Sequence, residues 1–259
     1  MSPPETAAHL LTEWNWAPTI LLGTALFVGA YVGAAGPFRS RFKSTERLEL
    51  GQAAWFLAGV GVIFLALVSP LDAIGDEYLF TAHMLQHMLL MIVAPPMLLL
   101  GTPGWMLRPL ILRPAIRPAA KILTQPAVAF LLFNADLILW HLPGLYEAAL
   151  GNEAIHAIEH LSFIATALVT WWPLLSPLPE LPPLSAPWQI LYLVLDSAPG
   201  MALGAFFASA GTVLYPTYAA APHVFALHGI DDQLLGGLMM GMPVSLLFLG
   251  IVMMRRTVR

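Results

Sequence analysis

Apolar runs of membrane-spanning length recur along the chain, separated by short gaps that hold most of its charges and prolines. A span needs about 20 mainly apolar residues. Seven segments qualify, at roughly 15–35, 50–69, 80–100, 122–141, 154–173, 187–210 and 232–254. Pro37, Pro70, Pro103, Pro143, Pro177 and Pro216 fall between them, where helices should stop. None of the runs alternates polar and apolar residues as barrel strands do. The pattern predicts an all-α integral membrane protein, a bundle of seven transmembrane helices forming a single domain over residues 1–259. Residues 104 to 121 break the pattern, mixing Trp105 with Arg108, Arg113, Arg117 and Lys121, and predict a segment lying along the bilayer surface.

Composition agrees with a membrane location. The chain is 58% hydrophobic and 10% charged, with a mean hydropathy of +0.76, whereas a soluble domain carries about a quarter charged residues. A net charge of −4 gives no support for a nucleic-acid partner. The absence of cysteine excludes a disulfide framework and any thiolate metal relay. No Lys or Arg precedes the first apolar run, so the N-terminus does not read as a cleavable signal peptide.

The positive charges then orient the bundle. Arg39, Arg41, Lys43 and Arg47 fill the first loop; Arg108, Arg113, Arg117 and Lys121 fill the third; Arg255, Arg256 and Arg259 end the chain. These are all 11 of its Lys and Arg residues, and seven spans put them on one side. The positive-inside rule makes that side cytoplasmic, with the N-terminus outside and the C-terminus cytoplasmic.

The histidines sort to the opposite side. His9 precedes span one, His83 and His87 open span three, His141 closes span four, His156 and His160 open span five, and His223 and His228 lie in the sixth loop. All eight fall on the predicted outer side. Residues four apart share a helix face about 6 Å apart along the axis. His83 therefore pairs with His87 and His156 with His160, at matched depths, with His87 and His160 about two turns below the outer surface. Spans three, four and five are consecutive and should be neighbours, so both faces and His141 can converge in the outer leaflet. A lone histidine near a membrane surface is usually interfacial. Two matched pairs plus His141 favour a metal site, since neutral imidazole is the commonest protein metal ligand.

Carboxylates surround the same region. Glu153 lies within about 60° of His156 and His160 on the helical wheel, at a height that suits a headgroup-level charge, while Glu159 sits deeper on the other flank. A carboxylate at Glu159 can ligate a metal or fix an imidazole tautomer. Asp136 in span four is a further candidate for that supporting role. Asp196, near mid-bilayer and without a basic partner in any span, reads as a structural hydrogen-bonding group. Asp231 and Asp232 begin span seven and suit either helix capping or a site role. Met84, Met88 and Met91 form a stripe about 100° away from the histidines and read as packing, although thioethers suit Cu(I); Met239, Met240 and Met242 in span seven are open to the same two readings. An all-histidine site suits Zn, Cu, Fe or Ni, and ligand type alone does not choose.

The stretch "HMLQHMLLMIVAPPMLLLGTP" resembles the signature of the multi-helix CtaG family, associated with assembly of caa3-type cytochrome c oxidase and distinct from the single-span copper chaperone of the same name. "WHLPGLYEAAL", "HAIEHLSF", "WWPLL", "YPTY" and "DDQLLGGLMM" resemble that family's later blocks, in order, over roughly residues 50 to 250. The resemblance implies a seven-helix bacterial plasma-membrane protein that helps deliver copper to the oxidase. By position it implies metal-site roles for His83, His87, His141, His156 and His160, with Asp136, Glu159 and Asp232 as candidate supporting residues and Gln233 beside Asp232 in the shared motif. The implied metal is copper, with zinc the alternative. The implied partner is the oxidase subunit that carries the copper site, in a lipid bilayer, with the metal site facing the periplasm. The first span and the loop with His223 and His228 match least well.

Three other functions compete with an assembly factor. Seven helices around a histidine site can activate zinc-bound water, with Glu159 or Asp136 as base, in an intramembrane hydrolase. Two histidines from two helices can hold a haem. Metal transport is disfavoured, because the inner half holds almost no polar ligands beyond Asp196.

Overall fold

Proline sets many of the helix boundaries. A computed structural model describes residues 8–42 and 46–241, and every regular element in them is helical. Helix α1 spans Pro18–Ala35, α2 Leu50–Val68, α3 Leu71–Glu77 and α4 Phe80–Gly101. Helices α5 (Gly104–Ile111), α6 (Arg117–Leu123), α7 (Pro126–Trp140) and α8 (Pro143–Leu150) follow. The series ends with α9 (Glu153–Leu175), α10 (Ala186–Ser209), α11 (Pro216–Ala220) and α12 (Gly229–Gly241). Prolines open α1, α7, α8, α10 and α11 within the first two positions, where the missing N–H is one that a helix leaves unbonded anyway.

Among the described residues, five helices are long and apolar enough to cross a membrane: α1, α2, α4, α9 and α10. A sixth span results if α6 and α7 are counted together, but they are bent by 73° at their junction. The helix at the place of the expected fourth span therefore starts at Pro126 and not at residue 122. Proline restricts its predecessor to extended backbone, and Gln125 takes φ −66°, ψ 133°. The expected surface segment is two short helices, α5 and α6. The expected seventh span is described only as α12, and the rest of it lies outside the described residues, as do Lys43, Met242, Arg255, Arg256 and Arg259.

Helix α4 occupies the centre. Its middle turn, Leu89–Val93, widens to π-helical bonding, with the Ala94 N–H reaching back to the carbonyl of Leu89. The cause is local: Pro95 and Pro96 lack the N–H groups that would bond the carbonyls of Met91 and Ile92. The Trp171 indole of α9 takes over, donating to the Met91 carbonyl at 3.1 Å. A second proline defect is mended the same way. Pro70 cannot bond the Ala66 carbonyl, and the Gln86 amide of α4 donates to it at 2.9 Å.

Close helix approach depends on glycine. A Cβ on Gly101 of α4 would collide with the backbone of Phe56 on α2, and one on Gly204 of α10 would collide with the Gly237 carbonyl of α12. Small residues permit such contacts between membrane helices, where van der Waals packing drives association. At one end of the bundle the Arg39 guanidinium lies 3.7 Å from the Trp105 ring centroid, and Arg108 donates to Glu180 at 2.8 Å. Those groups cluster past the C-terminal ends of α4 and α9. The histidines sit at the N-terminal ends of the same two helices, a helix length away.

Candidate metal centre

Two helix starts and a helix end build the centre. The first turn of α4 is capped from α12: the Phe80 and Thr81 N–H groups donate to the Asp232 carboxylate at 2.7 and 3.0 Å. The Thr81 hydroxyl donates to the Asp232 carbonyl at 2.8 Å. That double clamp fixes the turn leading into His83 and His87, which are each 1% exposed. The first turn of α9 is capped by its own Asn152, whose side-chain oxygen accepts from Ala154 and Ile155 N–H at 2.9 and 3.2 Å. His156, Glu159 and His160 follow within two turns. His141 sits at the C-terminal end of α7.

Helical spacing brings the rings together as expected from i, i+4 geometry. Ring centroids lie 4.2 Å apart for His83 and His87, and 4.1 Å for His156 and His160. Across the helices, His83 is 5.4 Å from His156, and His87 is 5.5 Å from His160 and 6.0 Å from His141. Ligand atoms of His83, His87, His156 and Glu159 all lie within 4.8 Å of one another. A Glu159 oxygen stands 3.7 Å from His87 Nε2. Glu159 is fully buried, so the deeper of the two α9 carboxylates joins the cluster, while Glu153 is exposed.

Asp76 organises the outer rim. Its carboxylate oxygens meet His83 Nδ1 at 3.2 Å and His156 Nδ1 at 3.4 Å, bridging α4 and α9 from α3. A carboxylate that accepts from Nδ1–H leaves Nε2 with its lone pair, the form a metal needs. His141 is fixed in the same sense, because its Nδ1 lies 2.7 Å from the Leu137 carbonyl, which can only accept. Gly75 lies against His83, where a Cβ would come 3.0 Å from the His83 backbone. Burial raises Asp76 and Asp72 to about 6 each. Asp72 accepts from the Gln86 and Asn15 amides at 2.6 and 2.8 Å.

Around the histidines lies a wall of tyrosine. Tyr146 of α8 stacks on Tyr215 with centroids 3.8 Å apart. The Tyr146 and Tyr218 hydroxyls are 2.9 Å apart, and Tyr218 donates to the Gly75 carbonyl at 2.7 Å. Tyr215 donates to the His141 carbonyl at 2.8 Å. Burial pushes the Tyr146 and Tyr218 hydroxyls well above the usual phenol range, so they stay neutral donors. The Thr217 hydroxyl donates to Glu147 at 2.7 Å. The "LYE" and "YPTY" stretches are thus two halves of one lid.

The cluster itself is polar and unpaired. Nε2 of His83, His87, His141, His156 and His160, Nδ1 of His87 and both Glu159 carboxylate oxygens are buried without a hydrogen-bond partner. Buried polar groups are almost always bonded, and leaving one unmade costs about 1–3 kcal/mol. Eight such atoms in one place form a group able to hold a cation. Imidazole with carboxylate, and no thiolate, suits Zn, Cu, Fe or Ni.

Other expected candidates lie elsewhere. Asp136 is bonded to the Ser162 and Thr166 hydroxyls at 3.0 and 2.9 Å. It therefore braces α7 against α9, and its oxygens are already engaged. Asp196 accepts from Asn134 at 2.9 Å and lies 3.3 Å from the Thr170 hydroxyl, a structural network between three helices. Asp232 supports the centre through the α4 backbone. Gln233 donates to the Phe207 and Thr212 carbonyls at 3.2 and 3.0 Å and accepts from Leu214 N–H at 2.7 Å. Met84 packs among Phe80, Tyr146 and Phe207, and Met91 among Trp171 and its neighbours. His9 pairs with Glu13 at 3.2 Å, and His223 stacks on His228 with centroids 3.9 Å apart. Asp76, Gln86 and the tyrosines were not singled out from the sequence; for Asp76 the signal was an acidic pair, Asp76–Glu77, at the mouth of the histidine-bearing helix.

The fold and centre define a polytopic helical protein with a buried histidine–carboxylate cluster able to hold a metal. The family model described as cytochrome c oxidase caa3 assembly factor (Caa3_CtaG) matches residues 29–258. The chain belongs to that family. It is also 26% identical over 269 residues to uncharacterized proteins of Mycobacterium bovis and Mycobacterium tuberculosis. Those alignments cover 96% of this chain and 39% of each relative, so the chain spans about two fifths of their length. No solved structure matches it.

Proposed function

We propose that this protein binds copper at the His83–His87–His156–Glu159 cluster and supplies it to the copper-bearing subunit of a cytochrome c oxidase during assembly. The observation that carries the reading is the convergence of unpartnered imidazole and carboxylate atoms in a buried place, in a chain whose family assembles a copper oxidase. In this reading the chain is one seven-helix domain over residues 1–259 in a bacterial plasma membrane, N-terminus outside and C-terminus cytoplasmic. The clustering of Arg39, Trp105, Arg108 and Glu180 at the end away from the histidines supports that orientation. Copper then enters and leaves from the periplasmic side, past Asp76 and His156, the cluster's partly exposed members. Asp76 holds two rings in the binding tautomer, the Tyr146–Tyr218 wall excludes water, and His141 and His160 complete the donor set.

Metal analysis of protein purified without added metal tests the first half, with copper expected. Cells lacking the protein test the second: they should make oxidase with haem and deficient copper, and His87→Ala should behave like the deletion. Normal oxidase copper in the deletion strain removes the assembly role.

A second reading is favoured by Glu159, whose oxygens are unpartnered beside His87. With zinc on the histidines, Glu159 would be the base of an intramembrane hydrolase. That reading expects zinc on purification, and Glu159→Gln to keep zinc but lose hydrolysis of a lipid amide or ester.

A further inference from the structure

A metal site of imidazole and carboxylate normally takes about four protein ligands. His83, His87, His156 and Glu159 already form such a set, with ligand atoms within 4.8 Å of one another. The centre nevertheless holds more donors. His141 and His160 are 4% and 6% exposed, and the Nε2 of each is buried without a partner. His141 cannot turn its other nitrogen to the task, because Nδ1 is 2.7 Å from the Leu137 carbonyl. Both rings flank His87, at 6.0 and 5.5 Å between centroids. If the four-residue set were the whole site, two deeply buried imidazoles would remain unsatisfied beside it, which burial penalises.

One residue beside both groups can serve two ions without losing a further proton. Glu159 is the carboxylate whose Oε1 and Oε2 are both unpartnered, and it can present one oxygen outward and the other inward, whereas a neutral imidazole such as His87 offers a lone pair at one nitrogen only. We infer that the centre is binuclear: an outer ion on His83, His156, His87 and Glu159, and an inner ion on His141, His160 and the second oxygen of Glu159. This rests on the metal-binding reading above. Charge favours the cuprous state. Two Cu(I) ions bring +2 into the bundle, and the carboxylates that touch the cluster, Glu159 and Asp76, match it, whereas two divalent ions leave an excess that burial penalises. The outer position lies beside Asp76 and His156, the cluster's partly exposed members.

The test is a metal count. Full-length protein in detergent is loaded with excess Cu(I) under ascorbate and nitrogen, freed of unbound metal, and analysed for copper and protein. Two copper ions per chain are expected for the wild type and one for His141→Ala, with Asp196→Asn retaining two. One ion per wild-type chain overturns the binuclear inference and leaves the copper reading standing. No copper overturns both. Two ions in a folded His141→Ala overturn the inner site. X-ray absorption on the loaded wild-type chain gives a readout that needs no variant. A copper–copper distance of about 4 Å or less is expected for ions sharing ligands, and its absence overturns the shared-ligand arrangement.

Discussion

The carboxylate of Asp232 accepts the backbone N–H of Phe80 at 2.7 Å, joining residues 152 positions apart. A helix cap normally comes from the residue just before the first turn. Here that residue is Leu79, which offers no side-chain acceptor, and α12 supplies one from across the bundle. The orientation of His83 and His87 therefore depends on the docking of α12.

Removing that cap should loosen the centre without touching a ligand. Asp232→Ala should cost about 1 kcal/mol or more of stability and weaken metal binding, whereas Asp232→Asn should retain most of both. Thermal unfolding in detergent and metal titration of the two variants check this. Equal metal affinity in Asp232→Ala and wild type would separate the cap from the site.

Asp76 should matter to affinity more than to folding. Its partial exposure and its contacts with His83 and His156 make it an orienting group, and loss of such a group costs about 10–100-fold in metal affinity. Asp76→Ala should show that loss with helical content unchanged. A variant that binds as tightly as wild type would mean the rings are held by packing alone.

His87→Ala should bind far less metal than wild type, since His87 lies against His83, His141, His160 and Glu159. His9→Ala should match wild type, because His9 is exposed and pairs only with Glu13 among the described contacts. Elemental analysis of the two proteins decides it, and equal occupancy would discard the cluster as the binding site.

Glycine packing gives a stability prediction. Gly204→Ala drives a methyl group into the Gly237 carbonyl, with no flexible side chain to yield, and should destabilise by about 1–3 kcal/mol. Gly61→Ala, with nothing within 4 Å of the new atom, should be neutral or slightly stabilising in its helix. The melting temperatures of the pair provide the measurement.

A reporter fused after residue 259 should read as cytoplasmic, since the seven-span reading puts the Lys and Arg clusters in two odd-numbered loops and the C-terminal tail. A periplasmic signal would overturn the seven-span order and the outward facing of the histidines.

Much of this was legible along the chain because the deciding physics is local. Apolar length predicts membrane helices, and five of the expected spans are present as helices of that kind. Spacing of four put His83 with His87 and His156 with His160 on common faces before any tertiary contact was known. Position along each helix matched their depths. The bend at Pro126 was legible in principle, because a proline restricts the residue before it whatever surrounds the chain, but the continuous apolar run concealed it.

Tertiary structure decided what links distant residues. Asp76 is an ordinary loop-end carboxylate in sequence, and Asp232 suits either a cap or a site role; only the reach of Asp76 from α3 to rings on α4 and α9, and the packing of α12 against α4, makes one a bridge between imidazoles and the other a cap for α4. Asp136 shows the converse: its type and depth suited a metal site, but the hydroxyls it faces, Ser162 and Thr166, claim both its oxygens. Helical periodicity determines which residues share a face. It says nothing of the rotation at which that face meets its neighbours, and hydrogen bonds and metal ligation depend on that rotation to within about an ångström.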